Sequence, residues 1–285
     1  MRICAAVILY HPDSGLKDRL LTYLPDVEKL FIFDNSESHN YQYLINELPS
    51  NDKIVYVSDG ENKGISIRLN QAAQMAINEQ FDWLLTMDQD SYFANNNFEN
   101  FLRCLKDYPD RRNVAVFGVQ YLDPDLQSAS CVANTTTHLI TSGSIMNLHL
   151  FDSIGAFDEA LFIDQVDSEY CYRSILKGHR IIQFDNVYLQ HSLGKQSTHR
   201  SLKNLKKTNR SLHSPLRLYY MTRNYFYVRS KYQKQFPDEI SELKQDLLNR
   251  IKNNFLYGSQ RFSLIKNVLS GMLDYKKNKM GKKNR

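Results

Sequence analysis

Apolar residues gather in short blocks through the first third of the chain, at Ile3 to Leu9, Lys29 to Phe33, Ile54 to Val57 and Trp83 to Met87. Blocks of this length, rich in β-branched and aromatic residues and bounded by polar turns, predict buried strands. Between them the spacing becomes helical. Leu16 to Tyr23 has Ser14 in the N-cap position and Pro25 beyond its end, and Ile65 to Ile77 repeats apolar residues at helical intervals. Strands alternating with helices predict an α/β fold with a mainly parallel central sheet flanked by helices. The opening MRICAAVILYHP is read as the first strand and not as a leader, because its short apolar run passes into Tyr-His-Pro without a small-residue cleavage site.

The pattern changes toward the end of the chain. An aromatic-rich helix is predicted to start near Pro215, and Ile240, Leu243, Leu247, Leu248 and Ile251 continue with helical spacing, followed by Phe255, Leu256, Phe262, Leu264 and Ile265. The expected division is a domain over 1–213 and a helical extension with a basic tail over 214–285. Packing on the core, an oligomer contact and a place on a membrane all remain open for that extension.

With 42% apolar and 12% aromatic residues in 285, the chain is rich enough for a packed core, so disorder is not the default reading. Cys4, Cys104, Cys131 and Cys171 form no CxxC pair, so reduced thiols in a cytosolic compartment are expected, with no disulfide framework. The net charge of +5 is unevenly placed. No acid interrupts 193–217, and the chain closes on Lys276, Lys277, Lys279, Lys282, Lys283 and Arg285. Such clusters attract phosphate, anionic lipid or nucleic acid. For the tail, a solvated end and a peripheral membrane contact are equally consistent with the sequence. No run reaches the roughly 18 apolar residues of a spanning helix, and no nucleic-acid partner is expected.

Chemistry collects where the predicted strands end. The first strand leads into Tyr10-His11-Pro12, the second into Asp34-Asn35-Ser36, and the fourth into Asp88-Gln89-Asp90. The third is followed by Asp59-Gly60-Glu61-Asn62-Lys63-Gly64 and a helix, whose first amides are suited to an anion. Ligands of open α/β sheets bind beyond the carboxyl ends of the strands. If the fourth strand extended through Asp90, its two acids would share one side and could hold a divalent cation against substrate phosphates. Asp-x-Asp alone is common in ordinary turns; four polar strand ends together describe a nucleotide-diphosphate pocket. Neither a GxxxxGK[ST] loop nor GxGxxG is present.

AAVILYHP, FDNS, ENKGISIRLNQAA, LLTMDQD, ITSGSIMN, GAFDEALFIDQVDSEYCYR, VYLQHSLG and RLYYMTRN occur in this order over about residues 3 to 230. In these segments the chain resembles family 2 glycosyltransferases of the GT-A fold, and within them bacterial rhamnosyltransferases. The resemblance implies an inverting transferase that moves a sugar from a nucleotide-diphospho-sugar donor to a hydroxyl of a glycan or lipid-linked acceptor in bacterial surface polysaccharide synthesis. The implied location is cytoplasmic or peripheral on the inner membrane face. The leading donor is dTDP-L-rhamnose, with a UDP-hexose or UDP-galactofuranose as the alternative. Nucleotidyl transfer and a non-catalytic nucleotide-sugar-binding protein are the readings from other classes.

Residue by residue, the resemblance implies donor contacts from Tyr10, His11, Asp34, Asn35, Asp59, Asn62, Gly64, Asn70, Asp88 and Gln89. It places Mg²⁺ or Mn²⁺ on Asp88 and Asp90, with His191 as a further metal or diphosphate contact. Asp167 becomes the base that takes the acceptor proton on the face opposite the leaving group. Val166 stands where the family often has an acid, and Asp164 and Glu169 lie near enough to substitute for Asp167. Ser142, Gly143, Glu169 and Arg223 are the implied acceptor contacts, although Ser142-Gly143 also reads as a simple turn, and Tyr219, Tyr220, Tyr225, Phe226 and Tyr227 read as core or interface packing rather than sugar platforms. The basic run Lys195 to Arg210 is expected to be a loop that orders over the donor phosphates.

Overall fold

A computed structural model describes residues 1–37, 41–46, 48–49, 51–121, 130–191, 196–200 and 207–283. The strands are β1 (Ile3–Leu9), β2 (Lys29–Asp34), β3 (Ile54–Ser58), β4 (Trp83–Asp88), β5 (Ser91–Tyr92), β6 (Val114–Gln120), β7 (Ala133–Thr135), β8 (Ser144–Asn147), β9 (Arg180–Tyr188), β10 (Gln190–His191), β11 (Gln196–Arg200) and β12 (Lys207–Ser211). The helices are α1 (Leu16–Leu21), α2 (Gln42–Asn46), α3 (Ile65–Asn78), α4 (Asn97–Asp107), α5 (Phe151–Ile154), α6 (Val166–Leu176), α7 (Pro215–Tyr232), α8 (Pro237–Tyr257) and α9 (Arg261–Lys276). They form two compact units, one of Met1–Glu159 with Val166–Ser192 and one of Ala160–Gln165 with Leu193–Arg285.

In the first unit, the described residues build an eight-stranded sheet in the order β3-β2-β1-β4-β8-β6-β9-β7. β3, β2, β1 and β4 run parallel, β8 runs against both β4 and β6, and β7 runs against β9. The expected α/β architecture is therefore observed. β1 is apolar on both faces because both are covered. Ala5, Val7 and Leu9 join the main core with Leu30, Ile32, Leu85 and Phe101. Small residues of α3, among them Ala72, Ala73 and Ala76, are fully buried, and α3 packs against β1 and β4. Small residues there let the helix approach the sheet closely.

Two local expectations are corrected. Ser14 does not cap α1: Asp13 accepts the Gly15 amide at 2.9 Å and the Arg19 guanidinium at 2.6 Å, so Gly15 takes the N-cap position and the helix ends at Leu21. The cysteines are not all reduced either. Cys104 on α4 is bonded to Cys131 ahead of β7, with their Cα atoms 5.5 Å apart, while Cys4 and Cys171 are buried free thiols. A separation of 27 residues carries no local pattern, so this pairing arises from the packing of α4 beside β9 and of β7 along β9.

The second unit is helical, with α7 packed on α9 and α8. Ser214 caps α7 by accepting the Arg217 amide. Gly271 of α9 meets the α7 backbone so closely that an added Cβ would lie 2.6 Å from the Tyr219 carbonyl oxygen. The basic run expected as an irregular loop contains the antiparallel pair β11–β12, in register from Gln196 opposite Ser211 to Arg200 opposite Lys207. Lys195 lies outside the described residues. The tail is not a frayed, solvated end through residue 283. Gly281 donates to the Ala160 carbonyl at 2.9 Å and accepts from Arg223 at 2.7 Å, and the Lys283 amide donates to the Tyr220 hydroxyl at 2.9 Å.

Candidate active site

Register places the polar strand ends on one edge. Leu9 of β1 lies beside Asp34 of β2, Asp34 lies beside Ser58 of β3, and Ile8 lies beside Asp88 of β4. Because the four strands are parallel, the residues after them, Tyr10, Asn35, Asp59 and Gln89, emerge together at the carboxyl edge.

Asp34 is fully buried and held from several sides. It accepts from the Tyr56 hydroxyl at 2.5 Å, the Ser36 amide at 2.9 Å and the Tyr41 amide at 3.4 Å. Burial, and then the Asp34 carboxylate, raise the Tyr56 phenol well above its usual range, so Tyr56 stays a donor. His11 has a left-handed backbone (φ 48°), donates its amide to Ser36 Oγ at 2.9 Å and places Nε2 3.7 Å from Glu37. Tyr10 is exposed, and its amide and carbonyl are both bonded by the Gln89 side chain, at 2.7 and 3.0 Å. This pairing makes Gln89 a tie between two strand ends.

Arg68, which the sequence reading did not single out, organises the neighbouring corner. Its guanidinium is fully buried; Nε donates to Asn35 at 2.7 Å and Nη2 to Asp59 at 2.5 Å. Lys63 also pairs with Asp59. The Arg68 hydrogen bond is the main reason the Asp59 carboxyl lies far below the ordinary Asp value. Two amides suited to an anion are already taken up, that of Lys63 by Asn35 beyond β2 at 3.3 Å and that of Gly64 by Asn62 of the same turn at 3.0 Å. Gly64 has φ 83°, a conformation that favours glycine, at the entry to α3. Asn70 lies away from the strand ends in its bonding, clasping both the amide and the carbonyl of Phe157 at 2.8 and 3.0 Å.

Asp88 is the last residue of β4, and Gln89 and Asp90 form a turn into β5. The strand alternation expected to place both acids on one side therefore stops at Asp88, because Gln89 is drawn to the Tyr10 backbone. The Asp88 amide donates to Ser142 Oγ at 3.0 Å, and the Ser142 carbonyl accepts the Tyr121 hydroxyl at 2.7 Å. Gly143 has φ 70°, its amide donates to the Thr86 carbonyl at 2.8 Å, and a Cβ there would meet Leu189 at 2.8 Å. His191 pairs through its backbone with Ser91, next to Asp90 in the chain; its side chain lies outside the described residues.

Asp167 sits in the first turn of α6, partly buried, and lines a small cavity with Thr86, Thr141, Ser144 and Tyr170. Burial and the nearby carboxylates of Asp167 and Asp88 push the Tyr121 phenol well above its usual range. Tyr121 thus lies within electrostatic reach of both acids. Glu169 is fully buried and receives Nη2 of Arg173 at 2.8 Å, while the same guanidinium holds the carbonyls of Ile154, Gly155 and Ala156, each at 2.8 Å.

In the second unit, Asp164 and Gln165 have left-handed backbones (φ 70° and 64°). Arg217 donates to Asp164 at 2.7 Å, and Asn224 donates to the carbonyls of Ile163 and Asp164 at 2.7 and 3.0 Å. Arg223 is fully buried, with its guanidinium over the rings of Tyr219 and Tyr220 and on the Gly281 carbonyl. Its donors serve the packing of that unit.

Residues 14–130 match the family described as glycosyl transferase family 2. The chain is also 25% identical over 249 residues to the dTDP-rhamnosyl transferase RfbF of Shigella flexneri, covering 80% of each protein. Residues 14–130 thus carry a family 2 glycosyltransferase domain. Solved structures agree on its GT-A fold. A mannosyltransferase from Pyrobaculum calidifontis, solved with GDP-Man and Mn²⁺, superposes with a TM-score of 0.59 at 13% identity over 98% of this chain and 83% of that one. TarS from S. aureus, residues 1–349 with UDP-GlcNAc, gives 0.55 at 14% identity over 96% and 80%. Among the described residues this glycosyltransferase has no helix long and apolar enough to cross a membrane and no group of three or more His, Cys, Asp or Glu arranged to hold a metal.

Proposed function

We propose that this glycosyltransferase is an inverting, metal-dependent rhamnosyltransferase that takes dTDP-L-rhamnose and glycosylates a hydroxyl of a glycan or lipid-linked saccharide in bacterial surface polysaccharide synthesis. The observation that carries the donor is the similarity to a dTDP-rhamnosyl transferase over four-fifths of both chains. The 1–213 region is the proposed catalytic domain, acting on the cytoplasmic side of the membrane.

Asp88 and Asp90 offer hard oxygen donors at a strand end and in the turn after it, the donor type that suits a Mg²⁺ or Mn²⁺ ion keeping positions for substrate phosphates. When bound there, the cation supplies charge neutralisation to the departing nucleotide diphosphate. Asp34, Asn35 and Asp59, fixed by Tyr56 and Arg68, form the proposed nucleoside end of the donor site. Ser142 and Gly143 fix the backbone beside Asp88, where donor sugar and acceptor hydroxyl would meet.

Asp167 is the proposed base. Its competitors are engaged elsewhere: Glu169 is buried in an ion pair with Arg173, and Asp164 is paired with Arg217. Asp167 borders a cavity and, unlike those two, has its carboxylate outside an arginine ion pair among the described residues. In a single displacement, the acceptor oxygen attacks the anomeric carbon from the face opposite the nucleotide, and its proton passes to the Asp167 carboxylate.

Calorimetric titration with dTDP, UDP, GDP and ADP, each with Mn²⁺ or a chelator, tests the reading. Preferential metal-dependent binding of dTDP is expected, whereas preference for UDP replaces the donor and binding of none overturns the proposal. Asp167→Asn is expected to keep nucleotide affinity and lose transfer; unchanged turnover removes Asp167 as base.

A further inference from the structure

Helix α9 is apolar on two faces, and the second unit covers one of them. Leu264 is buried and Gly271 lies against the α7 backbone, so this side is the packing face. On the other side, Phe262, Ile265, Leu269 and Leu273 follow at the three- and four-residue steps that align side chains along one helix face. All four are exposed, Phe262 to 92%. The turn from α8 adds Phe255 and Leu256, also exposed, and Arg261 closes over this turn by donating to the Phe255 carbonyl at 2.9 Å.

A row of large apolar residues in water has a free-energy cost that a partner surface removes. The charges around the row indicate which partner. Exposed cations border it at Arg261, Lys266, Lys276 and Lys277. From Gly258 to Lys283 the sole acid is Asp274, whose carboxylate accepts the Tyr219 hydroxyl at 2.8 Å on the packing side. The outward face of α9 therefore combines apolar side chains with positive charge and carries no acid of its own. Anionic headgroups above an acyl layer complement both properties. A second copy of the same face would bring lysine against lysine.

We propose that the outward face of α9, together with the α8–α9 turn, docks this protein onto an anionic lipid surface. Phe262, Ile265, Leu269 and Leu273 enter the headgroup–acyl boundary, and the bordering cations meet lipid phosphates. The inference is independent of the donor sugar and of the catalytic assignments. It concerns the helix itself, since Gly281 and Lys283 fold back onto α7 and α9 and a truncation there would disturb packing.

The test is flotation of the full-length protein with phosphatidylcholine vesicles, with and without phosphatidylglycerol, at low and high salt. Binding to the anionic vesicles that weakens with salt is expected. The variant Phe262→Gln/Leu269→Gln is expected to lose binding by at least about tenfold with an unchanged melting temperature, since both side chains are exposed. Lys266→Glu/Lys276→Glu/Lys277→Glu is expected to lose the preference for phosphatidylglycerol. Absence of binding by the wild type, or equal binding by the wild type and the Phe262/Leu269 variant, overturns the proposal. Sedimentation velocity supplies the remaining outcome: self-association abolished by Phe262→Gln/Leu269→Gln, without vesicle binding, assigns the face to a second copy and overturns a lipid partner.

Discussion

Ser142 Oγ accepts the Asp88 amide at 3.0 Å, so the last residue of β4 is fixed by a turn more than fifty residues later in the chain. Tyr121 secures that turn by donating to the Ser142 carbonyl. Tyr121→Phe removes one hydrogen bond and leaves the ring in place. We expect transfer to slow by about five- to tenfold, the equivalent of about 1 kcal/mol in one hydrogen bond. Nucleotide affinity should stay near wild type while folding stability falls by no more than about 1 kcal/mol, and single-turnover kinetics beside a binding titration separates these effects.

Asp90→Ala should weaken nucleotide-diphosphate binding in Mn²⁺ while leaving binding in a chelator unchanged. Loss of one oxygen ligand acts only where the cation links protein and phosphate. Normal titration of the variant in Mn²⁺ would contradict the assignment of Asp90.

Arg68 has no access to water and holds Asn35 and Asp59 together. Arg68→Met should reduce stability by about 3 kcal/mol, the lower end for a broken buried pair, because Asp59 retains contact with solvent and Lys63. Equilibrium denaturation measures it. The Asp59 carboxyl is depressed in the folded chain, so its stabilisation is complete above the ordinary Asp value of 3.8 and erodes as pH falls below it. Asp59→Asn should therefore differ from wild type at neutral pH and converge with it in strong acid.

His213 is held neutral, its pKa lowered to about 4 by burial and then by the Arg250 and Arg217 charges. Arg250 donates to its Nε2 at 2.5 Å. A lowered histidine value means the unfolded chain binds the proton first, so stability is complete above pH 6.5 and falls between 6.5 and about 4. Melting temperatures over this range should decline for wild type and change less for His213→Gln.

The Cys104–Cys131 bond closes a separation of 27 residues. Thiol titration in denaturant should find two thiols in the untreated protein and four after reduction, matching free Cys4 and Cys171. Cys131→Ser should cost about 3.5 kcal/mol, the chain-entropy value for a loop of this size.

The strands and their polar ends were legible because a buried parallel strand needs an unbroken apolar run and a polar exit, both local properties. β1 to β4 appear where the runs of Ile3 to Leu9, Lys29 to Phe33, Ile54 to Val57 and Trp83 to Met87 placed them, give or take a terminal residue. Asp34 and Asp88 were visible as exits for the same reason. Arg68 was not, since an arginine inside a helix looks like a solvated surface residue until Asp59 and Asn35 are brought beneath it. Tyr121, at the end of β6, carried no signal apart from its position after an apolar run.

The amino-acid sequence by itself determined the alternation of strands and helices, the row of polar residues at the strand exits and the family resemblance, because each depends on residues close together in the chain or on their order. Tertiary structure alone decided that Gln89 ties down Tyr10, that Glu169 is spent on Arg173, that Cys104 meets Cys131 and that the basic end folds back on Tyr220. Each of these joins groups whose partner is chosen by how helices and strands pack, and packing is a property of the whole chain.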